Sequence, residues 1–118
     1  MVCYAELSPR FAAGKYKFWA SVMANKAHAA VIRRLCERYG TGEVASNTFD
    51  VHIGDLLIEV ETSATLREGL EKLLKGQGRR FLAVTNREAL ADALALTVAT
   101  EVGVMDPWGE IVREAGTR

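Results

Sequence analysis

Between residues 43 and 62 the apolar positions recur every second residue, and they do so twice, on either side of Gly54-Asp55. Phe49, Val51 and Ile53 alternate with Thr48, Asp50 and His52. Leu56, Ile58 and Val60 alternate with Leu57, Glu59 and Glu61. Successive side chains of a strand point to opposite faces, so this repeat predicts two strands. Gly at the first position of a two-residue turn suits type II′, which closes an antiparallel hairpin. That turn sets the register: Ile53 faces Leu56, Val51 faces Ile58 and Phe49 faces Val60, which makes one face wholly apolar. On the other face Asp50 falls opposite Glu59, and Glu61 lies two residues along the same strand.

An isolated hairpin is at best marginally stable, so the rest of the chain must cover the apolar face. Ser8-Pro9 reads as a helix start, with Ser as N-cap and Pro at the first helical position. The helical pattern runs from there, with a break near Gly14, to Tyr39-Gly40. It carries an apolar stripe of Val31, Ile32, Leu35 and Tyr39, and Gly40-Thr41-Gly42 stops it. Thr65-x-x-Glu68 reads as a capping box opening a second helix with the stripe Leu66, Leu70, Leu73 and Leu74, ended by Gly76. Arg79 to Thr85 predicts a third strand. Thr85-x-x-Glu88 then opens a third helix reaching about Thr100, its interior Leu90, Ala91, Leu94, Ala95 and Val98. Val102 to Met105 predicts a fourth strand and Asp106-Pro107-Trp108-Gly109 a turn; 110–112 either extends the sheet or forms a terminal turn. Hairpins pair antiparallel and strand–helix–strand links make parallel neighbours. The expectation is an α/β fold with a mixed central sheet flanked by helices, order αββαβαβ, over one domain spanning 1–118.

Composition sets the class. The 118 residues are 49% hydrophobic and 25% charged, ordinary for a globular chain. No apolar run reaches about 18 residues, the length that a membrane-spanning helix needs. The first ten residues lack the basic and apolar regions of a secretory signal. Cys3 and Cys36 are too few for a disulfide framework. These readings point to a cytoplasmic protein without a membrane partner. Net charge is zero but unevenly spread: residues 1–42 carry seven basic and two acidic side chains, residues 43–118 eight basic and thirteen acidic. The basic part, with Tyr16, Phe18 and Trp19 among its charges, is a candidate for nucleic acid contact. Its alternative is a solvated helix face over buried aromatics. Lys26, Arg33, Arg79 and Arg80 are the candidate phosphate contacts, with a solvated loop as the alternative for the last two.

Like charges opposite one another destabilise a sheet, so Asp50, Glu59 and Glu61 call for something positive. Hard cations such as Mg²⁺ or Mn²⁺ take oxygen ligands. The alternatives are a neighbouring Arg or Lys, or exposure of this face to water. His28 shares a helical face with Ile32, Leu35 and Tyr39, where a core-edge role competes with a role as ligand. His52 is expected opposite Leu57, near the turn that Asp55 serves. Trp19 and Trp108 are candidates for capping the core or a dimer seam.

The order helix–hairpin–helix–strand, with Phe49-Asp50 and then Ile58-Glu59-Val60-Glu61-Thr62-Ser63, resembles the PD-(D/E)xK nucleases, which include type II restriction enzymes and archaeal Holliday junction resolvases. The likeness covers about residues 26–85. It implies a restriction endonuclease-like fold and Mg²⁺-dependent cleavage of DNA. By that resemblance Asp50 and Glu59 bind the metal, and Glu61 stands where the family's lysine usually lies, as a further ligand or a catalytic group. Lys72 or Lys75 then supplies an amine from the next helix, Lys72 being the better candidate. Lys26 to Gly40 resembles the first helix of the resolvases, and His28 falls where a glutamate joins their active site. Phe49 replaces the usual proline.

The expected activity is therefore a nuclease, structure-selective rather than site-specific because so small a domain has little room for base readout, and working as a homodimer. Two rivals stand beside it. One is an inactive module that keeps the fold to bind nucleic acid or protein; the other is a small regulatory subunit whose apolar faces bury against another chain.

Overall fold

The computed structural model describes residues 19–40 and 48–116, with side chains of the first helix described from residue 26. The helix start at Ser8-Pro9, the break at Gly14, Cys3, Thr41-Gly42 and the side chains of Tyr16, Phe18 and Trp19 lie outside what is described. The elements are α1 (Trp19–Tyr39), β1 (Val51–Ile53), β2 (Leu56–Glu61), α2 (Leu66–Leu74), β3 (Arg79–Val84), a 3₁₀ turn (Arg87–Ala89), α3 (Leu90–Thr97), β4 (Gly103–Met105) and β5 (Ile111–Arg113). The order is αββαβαββ. No helix among the described residues is long and apolar enough to cross a membrane.

The five strands form one mixed sheet in the order β1-β2-β3-β4-β5. The hairpin has the register that its turn demands: Val51 pairs with Ile58, His52 with Leu57 and Ile53 with Leu56. Gly54 has φ +61, and no non-glycine residue among the described residues has positive φ, the combination that a type II′ turn needs. β2, β3 and β4 run parallel, and β5 returns antiparallel to β4. Residues 110–112 therefore do extend the sheet.

Alternation along the strands divides the interior in two. Val51, Ile53, Ile58, Val60, Phe81, Ala83 and Met105 face α1, whose Val31, Ile32 and Leu35 cover them. Leu57, Leu82, Val84 and Val104 face the other way, onto Leu66, Leu70 and Leu73 of α2, Ala89 of the 3₁₀ turn and Ala93 of α3. Burying a Leu or Phe side chain stabilises by about 1.5–3 kcal/mol, so a two-faced core suffices to hold short edge strands in place.

Four local expectations fail, each for a physical reason. Phe49 and Asp50 do not continue β1: residues 48–50 form a bend, and Phe49 packs with the Leu57 cluster on the α2 side instead of with Val51. The box at Thr65 does not close, because its side chain makes no cap bond to α2 and instead accepts from the Thr62 amide at 3.1 Å. The box at Thr85 is superseded by Asn86, whose side chain accepts from the Ala89 amide at 3.0 Å. Finally, α3 buries Ala93 and Thr97 rather than Ala91, Ala95 and Val98; Val98 is 72% exposed. The run Leu90-Ala-Asp-Ala-Leu-Ala-Leu is apolar on nearly every side, so its pattern does not fix a buried face. Thr97 solves its own burial by donating to the Ala93 carbonyl at 2.8 Å.

The orientation of α3 yields a prediction. Ala93→Leu overpacks the contact with the sheet and should destabilise by about 1–3 kcal/mol. Val98→Ala, on the solvent side, should change stability by about 0.5 kcal/mol or less. Urea denaturation of the two variants checks the helix phase.

Candidate metal centre

Asp50, Glu59 and Glu61 are all buried, with residual exposures of 5%, 1% and 6%. Each offers a carboxylate oxygen, and the three atoms lie within 4.8 Å of one another. The grouping expected from the hairpin is therefore present, but the way it is built differs. Asp50 is not a ladder partner of Glu59. Because the chain bends before β1, the Asp50 amide donates to Glu59 Oε2 at 2.9 Å, and Asp50 Oδ2 accepts from the Val60 amide at 2.9 Å. The Asp50 carboxylate thus takes the Val60 amide that a continued ladder would have given to the Phe49 carbonyl.

Two cationic or proton-bearing groups approach from opposite faces. His28 on α1 places Nε2 3.1 Å from Asp50 Oδ2. It is buried on the same helix face as Ile32 and Leu35, as expected, and it also touches the acidic group. Lys72 on α2 places Nζ 3.3 Å from Glu59 Oε2 and 5.4 Å from the centroid of the Phe49 ring. Phe49, displaced from its expected face, thereby becomes the platform over which the lysine lies.

Glu61 depends on α2. It packs against Gly69, where an added Cβ would come within 2.4–2.8 Å of the Glu61 side chain. Its carboxyl also reaches Thr65, whose hydroxyl is thus engaged away from the helix amides. Burial, followed by the charges of Glu59 and Asp50, pushes the Glu61 carboxyl up to about 8, against a hydrogen bond from Thr65 that lowers it. Glu59 is likewise raised, first by burial and then by Asp50, although the Asp50 amide and Lys72 oppose this. Near neutral pH Glu61 therefore holds a proton, within 4.8 Å of the Asp50 and Glu59 carboxylates. Gly69 and Thr65 escape an inspection limited to charged residues. A glycine in the middle of a nine-residue helix, costing about 1 kcal/mol relative to alanine, was the available signal.

The remaining candidates lie elsewhere. Lys26 and Arg33 are exposed on α1, on the side turned away from the His28–Ile32–Leu35 face. Arg79 bonds Glu114 through Nε and Nη2, at 3.1 and 2.8 Å. Arg80 is not on a solvated loop: it is buried in β3, where Nη1 donates to the carbonyls of Leu73 and Gly76 and Nη2 to Glu101 at 2.8 Å. It closes the carbonyl end of α2, a structural task. His52 pairs with Leu57 and meets Phe49 edge-on at 5.8 Å.

An all-oxygen donor set this close suits a hard divalent ion. Oxygens bound octahedrally at about 2.1 Å stand about 3.0–4.2 Å apart, so the three carboxylates need only small side-chain adjustments to share one. The structure thus holds an α/β sheet with a buried acidic group able to take a metal ion. No protein-family model, curated protein or solved structure matches this chain.

Two predictions follow from the local chemistry. A carboxyl raised from 4.5 to about 8 on folding is protonated in the folded state and ionised in the unfolded state between those values. Its contribution is complete below about pH 4.5 and lost as pH rises toward 8. Without divalent ions, stability should therefore fall across that window, and Glu61→Gln should flatten the fall, as read by thermal melts at pH 5, 6, 7 and 8. Gly69→Ala should cost about 1–3 kcal/mol despite its gain in helix propensity, because the methyl group displaces Glu61.

Proposed function

We propose that this protein is a divalent-metal-dependent phosphodiesterase acting on DNA, a single restriction endonuclease-like domain over residues 1–118 that works as a homodimer. The observation that carries the reading is the burial of three carboxylates whose oxygens converge within 4.8 Å. Such convergence is costly unless a positive charge enters. The resemblance to the PD-(D/E)xK nucleases gives that charge an identity, Mg²⁺ or Mn²⁺.

Asp50 and Glu59 would hold the ion, with Glu61 completing the oxygen set. A bound ion of this kind acidifies water and neutralises charge on a phosphate. The chain's own residues have distinct tasks around it. His28 and the Val60 amide keep Asp50 in one orientation, and the Asp50 amide does the same for Glu59. Glu61, once the ion has displaced its proton, would accept a proton from the attacking water in the position where the family has a lysine. Lys72 is half-exposed and bound to Glu59 by one contact, so its amine can turn toward a phosphate oxygen while Phe49 supports its stem.

One observation favours a second reading. Lys72 on Glu59 and the proton on Glu61 compensate part of the acidic charge without any ion, and His28 meets Asp50 by a hydrogen bond. That balance fits a descendant that keeps the fold as a nucleic-acid-binding or protein-interaction module.

Calorimetry separates the two. The nuclease reading expects Mn²⁺ and Mg²⁺ to bind the wild type, and Asp50→Asn/Glu59→Gln to abolish binding together with cleavage of branched, nicked or linear DNA. Lys72→Met should spare metal binding and lower cleavage by about 10²–10³-fold, the usual loss for a charge-stabilising group. No ion binding by the wild type, with or without DNA, would leave the inactive module.

A further inference from the structure

A second arrangement stands at the same end of the sheet and takes no part in the site above. Trp108 is 51% exposed, unusual for so large an apolar side chain. Its backbone is nevertheless held from several sides. The Asp106 carboxylate accepts from the Trp108 and Glu110 amides at 2.8 and 3.0 Å. The carbonyls of Pro107, Trp108 and Gly109 accept from Arg34, Arg38 and the Tyr39 hydroxyl of α1, the last at 2.6 Å. A turn held this firmly carries an exposed indole on a fixed backbone, which lowers the ordering cost of a contact there.

The surroundings specify what kind. The guanidinium carbons of Arg34 and Arg87 lie 5.2 and 5.5 Å from the Trp108 ring centroid. Neither arginine has a carboxylate partner among the described residues. Arg87 is exposed on the 3₁₀ turn, so it can leave the ring to a flat ligand and carry its charge to an adjoining anion. An exposed aromatic ring with two arginines over it, neither with a carboxylate partner among the described residues, matches an unpaired nucleobase and its flanking phosphates.

Position ties this platform to the carboxylates. Glu61, Arg87 and Trp108 lie at or just beyond the carboxyl ends of β2, β3 and β4, which are neighbours in the sheet. β2 and β4 are two strand spacings apart, about 10 Å. Along α1, Arg34 lies six residues beyond His28, a rise of about 9 Å. The ends of β2 and β4 are thus separated across the sheet by about three nucleotide rises of about 3.4 Å.

We propose that Trp108, with Arg34 and Arg87, is a stacking platform for an unpaired base of single-stranded nucleic acid, setting where a strand lies relative to the carboxylates. The inference rests on the nuclease reading for the class of ligand, but its test needs neither metal nor cleavage. In EDTA, a fluorescein-labelled oligothymidylate of about twelve nucleotides is titrated against the protein and read by polarisation. In a Trp19→Phe background Trp108 is the remaining tryptophan, and its own emission is followed in parallel. The oligonucleotide should quench that emission. Trp108→Leu should weaken binding about tenfold or more, Trp108→Phe should restore most of it, and Arg34→Gln/Arg87→Gln should weaken it and reduce its salt dependence. A duplex of the same length should cause little quenching and be indifferent to Trp108→Leu. Absence of binding, or binding that Trp108→Leu leaves unchanged, overturns the platform, as does equal quenching by inorganic polyphosphate. Strand binding that persists in Asp50→Asn/Glu59→Gln while metal binding is absent from the wild type would reject the nuclease reading alone.

Discussion

Withdrawing three carboxyl groups from water at one point of a sheet costs several kcal/mol per charge before any compensation. Much of the local architecture answers that cost. The bend at residues 48–50 sets the Asp50 amide on a Glu59 oxygen and the Asp50 carboxylate on the Val60 amide. α1 crosses so that His28 meets Asp50, and α2 brings Lys72 to Glu59. Glu61 keeps a proton, and Gly69 gives it room. A purely structural role would be served as well by apolar residues of similar size, which often stabilise more than a buried ionic group does. The expense makes chemical sense if the carboxylates exchange a proton and a lysine contact for a metal ion.

That exchange places demands on the fold. The group sits where β2 ends beside an edge strand, with α1 on one face and α2 on the other. Open α/β sheets bind ligands outside the carboxyl ends of their parallel strands, and here those ends carry the carboxylates at β2, Arg87 after β3 and Trp108 after β4. One long helix, α1, touches both places, through His28 and through Arg34, Arg38 and Tyr39. α1 therefore bonds both Asp50 and the Trp108 turn from one continuous helix.

The hairpin could be read from sequence because its two constraints agree: a period of two on both strands and a turn that tolerates one register. The stripe of α1 was equally plain, since Val31, Ile32 and Leu35 are flanked by charges. Where the pattern lost contrast, so did the reading. α3 is apolar almost all round, and its buried face is chosen by contacts with the sheet. Phe49 changed sides because the strand begins two residues later than alternation suggests, and side chain–backbone bonds to Asp50 and Glu59 decide that start. The acidic group was visible as Asp50, Glu59 and Glu61, yet Gly69 and Thr65, which make room for it and bond it, belong to a helix that only the tertiary structure brings near. Arg80 looked available for phosphate because nothing in its neighbourhood along the chain reveals that Leu73, Gly76 and Glu101 surround it.

On the proposed reading these buried carboxylates take a divalent ion in preference to the protein's exposed acids. Paramagnetic broadening of backbone amides by substoichiometric Mn²⁺, followed in nitrogen–proton correlation spectra, tests it residue by residue. The account requires the amides of Asp50, Val60 and Gly69 to fade first, while those of Asp92 and Glu110 persist. Broadening confined to exposed acidic residues, or spread evenly over the molecule, would contradict it.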